Sequence, residues 1–310
     1  MEGTGPLIAA GIVTFQPDVD RLRANLAGVI DQVDSVIIFD NGSSNLSEID
    51  ELVRSMPPAK LLSSDRNLGI AAALNRLGDA AAELGAKWIL TLDQDSVSPP
   101  EMVASLRSVM KDGVGIVTPY IVDRNKLTEA EFRALDLPAV EVYPQPARRG
   151  AITSGSLVDI EAWKAVGGYD ERFFIDYVDY DFNQRISRAG YRILRANRTY
   201  LLHEVGKAER TWLWVPRRDL SHAWRLERFY SFGHSPERCY YKARNRVLFT
   251  RKHGRNLGIT HEGIWQVPRQ VALTLLFERN RWSKLRAFAR GLVDGFTTPL
   301  ETDPRSTGRT

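Results

Sequence analysis

Apolar residues fall into two alternating rhythms along the first 125 or so positions. Leu7–Phe15 is a nearly unbroken apolar run closed by Pro17, the pattern of a strand buried on both faces. Leu22, Leu26, Val29 and Ile30 then recur at helical spacing. Ser35–Phe39 predicts a second strand, which stops at the turn-rich cluster Asp40–Ser44. Ile70, Leu74, Leu77, Ala81 and Leu84 step by four and three, the signature of an amphipathic helix. Lys87–Leu92 predicts a third strand running into Asp93-Gln94-Asp95. Next, Ser98-Pro99-Pro100-Glu101 has the form of a helix start, with serine as cap, proline at the first helical position and glutamate three on from the cap. Gly115–Pro119 predicts a fourth strand. Continuous apolar strands alternating with helices imply an α/β fold of Rossmann-like type, with a mainly parallel central sheet flanked by helices.

The rhythm loosens afterwards. Residues 125–150 carry Pro138, Pro144 and Pro146 and read as a loop-rich excursion. Ala151–Ser154 is strand-like, a helix from about Ile160 stops at Gly167-Gly168, and a second helix from Asp179 to Ala189 ends at Gly190. Tyr191–Leu194 predicts a further strand. Beyond about residue 206 the pattern turns aromatic and basic with helical spacing. The expected division is therefore residues 1–205 as the sheet domain and 206–310 as a mostly helical, basic extension.

Charge sharpens this division. The net charge of +4 conceals 16 Lys/Arg against 28 Asp/Glu in residues 1–184 and 26 against 10 in residues 185–310. Acidic groups suit a cation, and a basic surface suits an anionic partner. One cysteine, Cys239, excludes an internal disulfide framework, fits a reducing compartment and reads as a buried small hydrophobe. No basic-then-apolar leader opens the chain, and an apolar stretch such as Val271–Phe277 is far too short to span a bilayer. The expected location is cytoplasmic.

Ligands of open parallel sheets sit beyond the carboxyl ends of the strands, where Asp40, Asp93 and Asp95 fall. Two carboxylates two residues apart there can converge on Mg²⁺ or Mn²⁺ and on a ribose; the plainer reading is a solvated loop with two acids. Asp176-Tyr-Val-Asp-Tyr-Asp181 gathers three carboxylates in six residues, which repel one another unless a cation or a proton relieves them. One of them could serve as general base, while Asp179 and Asp181 also suit the start of a helix. Asp40 could accept a hydrogen bond from a pyrimidine N–H or close an Asx-type turn. Asn67 and Gly69, ahead of the helix at 70–84, could cap it or meet a phosphate. His203 gains weight as a ligand only beside an existing cation site.

In this order, the pieces resemble glycosyltransferase family 2, the inverting GT-A type, and within it the bacterial rhamnosyltransferase-like branch. The resemblance rests on Val13-Thr-Phe15, Asp40-Asn-Gly-Ser43, Asn67-x-Gly-x-Ala-x-Ala73 with Asn75, Asp93-Gln-Asp95, Thr153-Ser-Gly-Ser156, Phe174–Asp181 ahead of Arg185, and His203. It covers roughly residues 7–205. It implies that Thr14, Phe15 and Asp40 hold the nucleobase, that Asn67, Gly69 and Asn75 shape the ribose and diphosphate pocket, and that Asp93 contacts ribose or metal-bound water. Asp95 and His203 would bind Mg²⁺ or Mn²⁺, and Gly155 and Ser156 would line the sugar and acceptor pocket. The catalytic base falls on Asp179, with Asp176 as the alternative, because Val178 stands where the family's usual pattern has a glutamate. The implied donor is a dTDP- or UDP-sugar, dTDP-rhamnose first, and the implied acceptor a saccharide or lipid-linked saccharide.

The extension combines Trp212, Trp214, Trp224, Trp265 and Trp282 with many arginines, which suits contact with an anionic membrane surface, making the protein peripheral on the inner face of the membrane. A basic face packed on the catalytic domain or at a homo-oligomer contact is the alternative; nucleic acid is not an expected partner, since no binding motif appears. Two rival functions stand beside transfer: a metal-dependent nucleotidyltransferase, whose phosphate loop after the first strand would be glycine-rich and basic where this chain reads Phe15–Asp20, and a non-catalytic nucleotide-sugar-binding protein of the same fold.

Overall fold

A computed structural model describes residues 5–123, 128–143, 150–203, 209–218, 224–231, 233–257, 263–264 and 266–300. The chain divides into two compact units, Met1–Glu204 and Val205–Thr310.

The first unit alternates strand and helix as its apolar rhythm requires: β1 (Ile8–Thr14), α1 (Val19–Val29), β2 (Ser35–Asn41), α2 (Leu46–Arg54), β3 (Lys60–Ser64), α3 (Ile70–Glu83), β4 (Trp88–Asp93), α4 (Met102–Arg107) and β5 (Val114–Asp123). Then come α5 (Glu129–Arg133), β6 (Val140–Val142), β7 (Ser156–Asp159), α6 (Ile160–Ala165), α7 (Val178–Arg188) and β8 (Arg192–His203). One eight-stranded sheet results, in the order β3-β2-β1-β4-β7-β5-β8-β6. β3, β2, β1 and β4 run parallel, as do β5 and β8, whereas β7 and β6 run against their neighbours. Ile8, Ile12, Val36, Ile38 and Leu90 of the central strands pack with Leu22, Leu26, Ile49, Leu52 and Met102 of the helices in one core. Burying each such side chain contributes on the order of 2 kcal/mol, enough to set strand register against the helices.

The expected α/β architecture holds, and several local expectations do not. Ala151–Ser154 is not a strand: residues 153–155 form a turn, and the strand follows it at Ser156–Asp159. Ser98 does not cap α4, which starts at Met102 behind a left-handed Glu101. α2 and β3 occupy a stretch without a predicted element. The half-exposed edge of the sheet explains β3, whose residues alternate irregularly between exposed and half-buried and give no continuous apolar run.

The second unit holds three helices, α8 (Pro236–Leu257), α9 (Gln266–Phe277) and α10 (Arg281–Thr297). It opens, however, with an antiparallel hairpin of β9 (Glu209–Arg218) and β10 (Trp224–Ser231) where helical spacing was expected. Trp212, Trp214 and Pro216 are exposed while Leu213 and Val215 are half-buried, a period of two that is strand logic. Cys239 is buried with Ala243 and Phe288 where α8 meets α10. Among the described residues no helix is long and apolar enough to cross a membrane. Pro144, Pro146 and Trp265 lie outside the described residues.

Candidate functional site

The strand order reverses direction at β1: the chain winds outward through β2 and β3, then returns to place β4 on the other side. That switch point lies at the carboxyl ends of β1 and β4, the place where such sheets bind ligands. Register sets its flanks, since Thr14 pairs with Asp40 on one side and Val13 with Asp93 on the other.

Each strand end is tied to the next. Asp40 is fully buried and accepts from the Thr14 hydroxyl (3.0 Å), the Ser43 hydroxyl (2.5 Å) and the Ser43 amide (2.9 Å). Asp40 thus closes an Asx-type turn with Ser43, and the Thr14 hydroxyl ties that turn to the end of β1. Phe15 is exposed beside them, and its amide donates to Oε1 of Gln94 (2.8 Å). Gln94, a residue without a predicted role, therefore joins the acidic loop after β4 to the end of β1. The backbone of Asp93 is held from two sides: its amide donates to the Ser154 hydroxyl (3.0 Å), and its carbonyl accepts from Asn25 Nδ2 (2.6 Å). The Ser96 and Ser154 hydroxyls meet at 2.7 Å.

Of the motif Thr153–Ser156, then, Ser154 braces the site. Gly155 and Ser156, expected to line the sugar and acceptor pocket, are turned inward. A Cβ on Gly155 would lie 2.9 Å from Leu201 and 3.1 Å from Pro119, and the buried Ser156 hydroxyl donates to the Ile152 carbonyl (2.5 Å).

The second acidic cluster sits on a loop that three fasteners pin from below. At the first, Asn67 Oδ1 accepts from Asn41 Nδ2 (3.1 Å) and the Gly69 amide (2.8 Å), and the Phe174 carbonyl takes the first amide of α3, that of Ile70 (2.8 Å). Gly69 stands at φ +87°, and a Cβ there would lie 2.5 Å from the Phe174 ring. The α3 N-terminus thus gives its leading amide to this loop, in line with the plain cap and turn that is one of the two readings of Asn67 and Gly69. The second fastener is Asn75, which accepts from the Tyr169 amide (2.7 Å) and donates to the Tyr169 carbonyl and Glu171 (3.0 Å each). The third is Arg185, which reaches the carbonyls of Val166 (2.7 Å) and Gly168 (2.6 Å) while pairing with the fully buried Asp181 (2.7 Å). Asn67, Gly69 and Asn75, expected to shape the donor pocket, here carry the loop.

At the loop's end Asp176 (φ +62°) and Tyr177 (φ +69°) are both left-handed without being glycine. Such pairs persist where surrounding structure holds them, commonly at functional sites. They aim the first turn of α7. Asp179, in that turn, has its pKa pushed up to about 7, first by desolvation and then by the carboxylates of Asp176 and Asp93; a hydrogen bond from the Tyr180 amide (2.9 Å) opposes the rise. Asp179 in turn helps raise the buried Tyr169 phenol, whose shift comes mainly from burial. Acids 86 residues apart in sequence, Asp93 and Asp179, therefore share one field.

One further observation bears on whether a divalent cation could be held here. Val97 bridges Leu202 in antiparallel sense, which brings the loop after Asp95 alongside the last residues of β8, ending at His203. The His203 side chain lies outside the described residues, and among those described no three acids or thiol or imidazole groups form a metal cluster. Carboxylates crowded at the strand ends are the chemistry that a divalent cation relieves.

Comparison with known proteins bears on this geometry. The profile described as Glycosyl transferase family 2 matches residues 11–163, and that described as Glycosyl transferase family group 2 matches residues 88–291. The chain is similar to a dTDP-rhamnosyl transferase, RfbF, of Shigella flexneri, at 28% identity over 93% of this chain and 95% of that one. It is also similar to an N-acetylglucosaminyl-diphospho-decaprenol L-rhamnosyltransferase of Mycobacterium tuberculosis, at 27% identity over 64% of this chain and 75% of that one. In fold it resembles a crystal structure of GalNAc-T7 with UDP, GalNAc and Mn²⁺, with a TM-score of 0.51 and 16% identity, over 64% of this chain and 43% of that one.

Proposed function

The chain belongs to the glycosyl transferase family 2 group, and from that premise we propose that it moves rhamnose from dTDP-rhamnose, with inversion, onto a hydroxyl of a saccharide or lipid-linked saccharide. The catalytic work is assigned to residues 1–205 and the basic extension to 206–310. One observation carries the mechanism: the first turn of α7 brings Asp179 into the field of Asp176 and of Asp93 at the end of β4, where burial and these charges push its carboxyl up to about 7. The two rhamnosyltransferase relatives support the choice of sugar, and the second supports a lipid-linked acceptor, which would bring peripheral contact with a membrane.

In this reaction Asp179 accepts the proton of the acceptor hydroxyl as its oxygen bonds to the anomeric carbon. The bond from that carbon to the diphosphate oxygen breaks, and the electron pair leaves with the nucleoside diphosphate. Asp95 and His203 would hold Mg²⁺ or Mn²⁺, which when bound supplies neutralisation of charge on the leaving diphosphate. Phe15, Thr14 and Asp40 border the nucleobase end, and Gln94 and Ser154 keep Asp93 facing the ribose. Asp176 raises the basicity of Asp179 by like-charge repulsion.

Asp95→Ala tests the donor side. A nucleotide sugar at about a hundredfold excess over its Kd stabilises a fold by roughly 2.7 kcal/mol. Wild-type protein should melt later with dTDP-rhamnose plus Mn²⁺ or Mg²⁺, and the variant should lose the cation-dependent part of that shift. Slow release of nucleoside diphosphate would accompany binding; release of pyrophosphate would instead identify a nucleotidyltransferase, and neither product a pure binder.

Transfer should also depend on pH. The base must be ionised, so kcat/KM for acceptor should rise through a midpoint near pH 7, following the raised Asp179 carboxyl. Asp176→Asn removes one repelling charge, and the midpoint should then move to lower pH with turnover retained. Abolition of transfer in that variant would hand the base to Asp176.

A further inference from the structure

We propose that one face of the β9–β10 hairpin is a docking surface for an anionic lipid bilayer. Register places Trp214 opposite Arg228 and Pro216 opposite Leu226, with Trp224 two residues before Leu226 on the same side of the two-stranded sheet. That side is open: Trp214 is 54% exposed, Trp224 65% and Leu226 68%. Large apolar groups are rarely left in water on this scale unless another surface covers them.

An isolated two-stranded hairpin is marginal in water. This one is anchored from its other side and its end. Phe229 and Trp212 both pack on Phe277 at the end of α9, at 5.8 and 5.3 Å between ring centroids, and the Thr211 hydroxyl donates to the Phe229 carbonyl (2.7 Å). The open face is thus presented by a held element.

Chemistry selects the occupant. Tryptophan and arginine together suit the headgroup layer, where an indole ring has both apolar and wet surroundings and a guanidinium meets phosphate. The Arg228 guanidinium already lies over the Trp214 ring, 5.3 Å from its centroid. Residues 205–310 contain 21 Lys/Arg against 9 Asp/Glu, so the whole unit is drawn to a negative surface. A second copy of the chain would bring the same positive charge to the contact and is disfavoured on that ground.

The surface would serve the lipid-linked acceptor proposed above and in that sense rests on that reading. Vesicle binding is measured without donor, acceptor or turnover, however, so either can fail alone. Full-length protein should sediment with vesicles containing phosphatidylglycerol at low salt, but not with phosphatidylcholine vesicles or at high salt. Brominated lipid should quench its tryptophan emission. Arg228→Glu should weaken binding about fivefold or more. Trp214→Ala/Trp224→Ala should remove most of the quenching with melting unchanged, since both rings are exposed. The proposal is overturned if wild type ignores anionic vesicles, if the tryptophan pair can be removed without loss of binding, or if those residues instead abolish self-association in solution.

Discussion

Asp179→Asn should cost transfer about 10²- to 10⁴-fold, the range set by losing a positioned general base, and should make the protein more stable above pH 7. The two effects have one cause. In the folded chain the Asp179 carboxyl ionises near pH 7 because burial and the Asp176 and Asp93 carboxylates disfavour its charge. In the unfolded chain it ionises near pH 4, as an ordinary aspartate does. Below about pH 4 both states are protonated and nothing is lost. Between the two values the folded state binds the extra proton, so stability falls as pH rises, and above about pH 7 the loss is complete. At 1.36 kcal/mol per unit the ceiling is about 4 kcal/mol, and partial contact with solvent brings the expectation to roughly 2–4 kcal/mol. Asparagine has the same shape and cannot ionise. Its variant should melt with wild type near pH 4, several degrees above it at pH 8, and bind donor normally. Equal melting at both pH values would show that the carboxyl carries no such strain, and wild-type transfer would remove it from the mechanism.

The fold was legible in the sequence wherever burial on both faces wrote a continuous signal. β1, β2 and β4 are such runs, and α3 shows its buried stripe through Leu74, Leu77 and Ala81. α7 was legible because its end is punctuated by Gly190 at φ +91°. The signal fails at the sheet's margins. β3 is an exposed edge, β7 is four residues hidden behind a turn, and the β9–β10 hairpin has tryptophans on its wet face, so that apolar residues mark both sides and blur the period.

The site was legible as acids at strand ends and illegible as a support structure. Asp93 and Asp179 stood out because charge is costly to crowd. Gln94, Ser154 and Asn25 did not, because a neutral side chain in a loop or helix carries no cue to the backbone group it will reach. Asn67, Gly69 and Asn75 are visible as a motif and read as shaping the donor pocket; in the fold the Asn75 side chain holds Tyr169, the Ile70 amide holds the Phe174 carbonyl, and Asn67 with the left-handed Gly69 shapes the turn between them. A motif tells that positions matter, and the fold tells what they touch. Here Asn75 and the Ile70 amide hold the segment that leads to Asp176 and Asp179, which ties helix α3 to the first turn of α7 through a few hydrogen bonds.

Arg185→Met should be the most destabilising single change in that support, by about 3–5 kcal/mol, because it strips the fully buried Asp181 of its guanidinium. It also withdraws the donors from the Val166 and Gly168 carbonyls, at about 1–3 kcal/mol for each group left unsatisfied. Those carbonyls begin the loop that ends in Asp176 and Tyr177, so the left-handed pair aiming Asp179 loses one of its three fasteners. Transfer should therefore fall along with stability, which alone would not separate positioning from unfolding. Arg185→Met/Asp181→Leu makes the separation. Replacing both charges with apolar groups of similar size restores much of what the broken pair cost, but it returns nothing to the two carbonyls. The double variant should melt closer to wild type than the single one, bind donor normally, and still transfer slowly, with the deficit in kcat rather than in KM for donor. Full recovery of transfer together with stability would mean that the arginine serves only the buried aspartate and that the loop holds its shape without it.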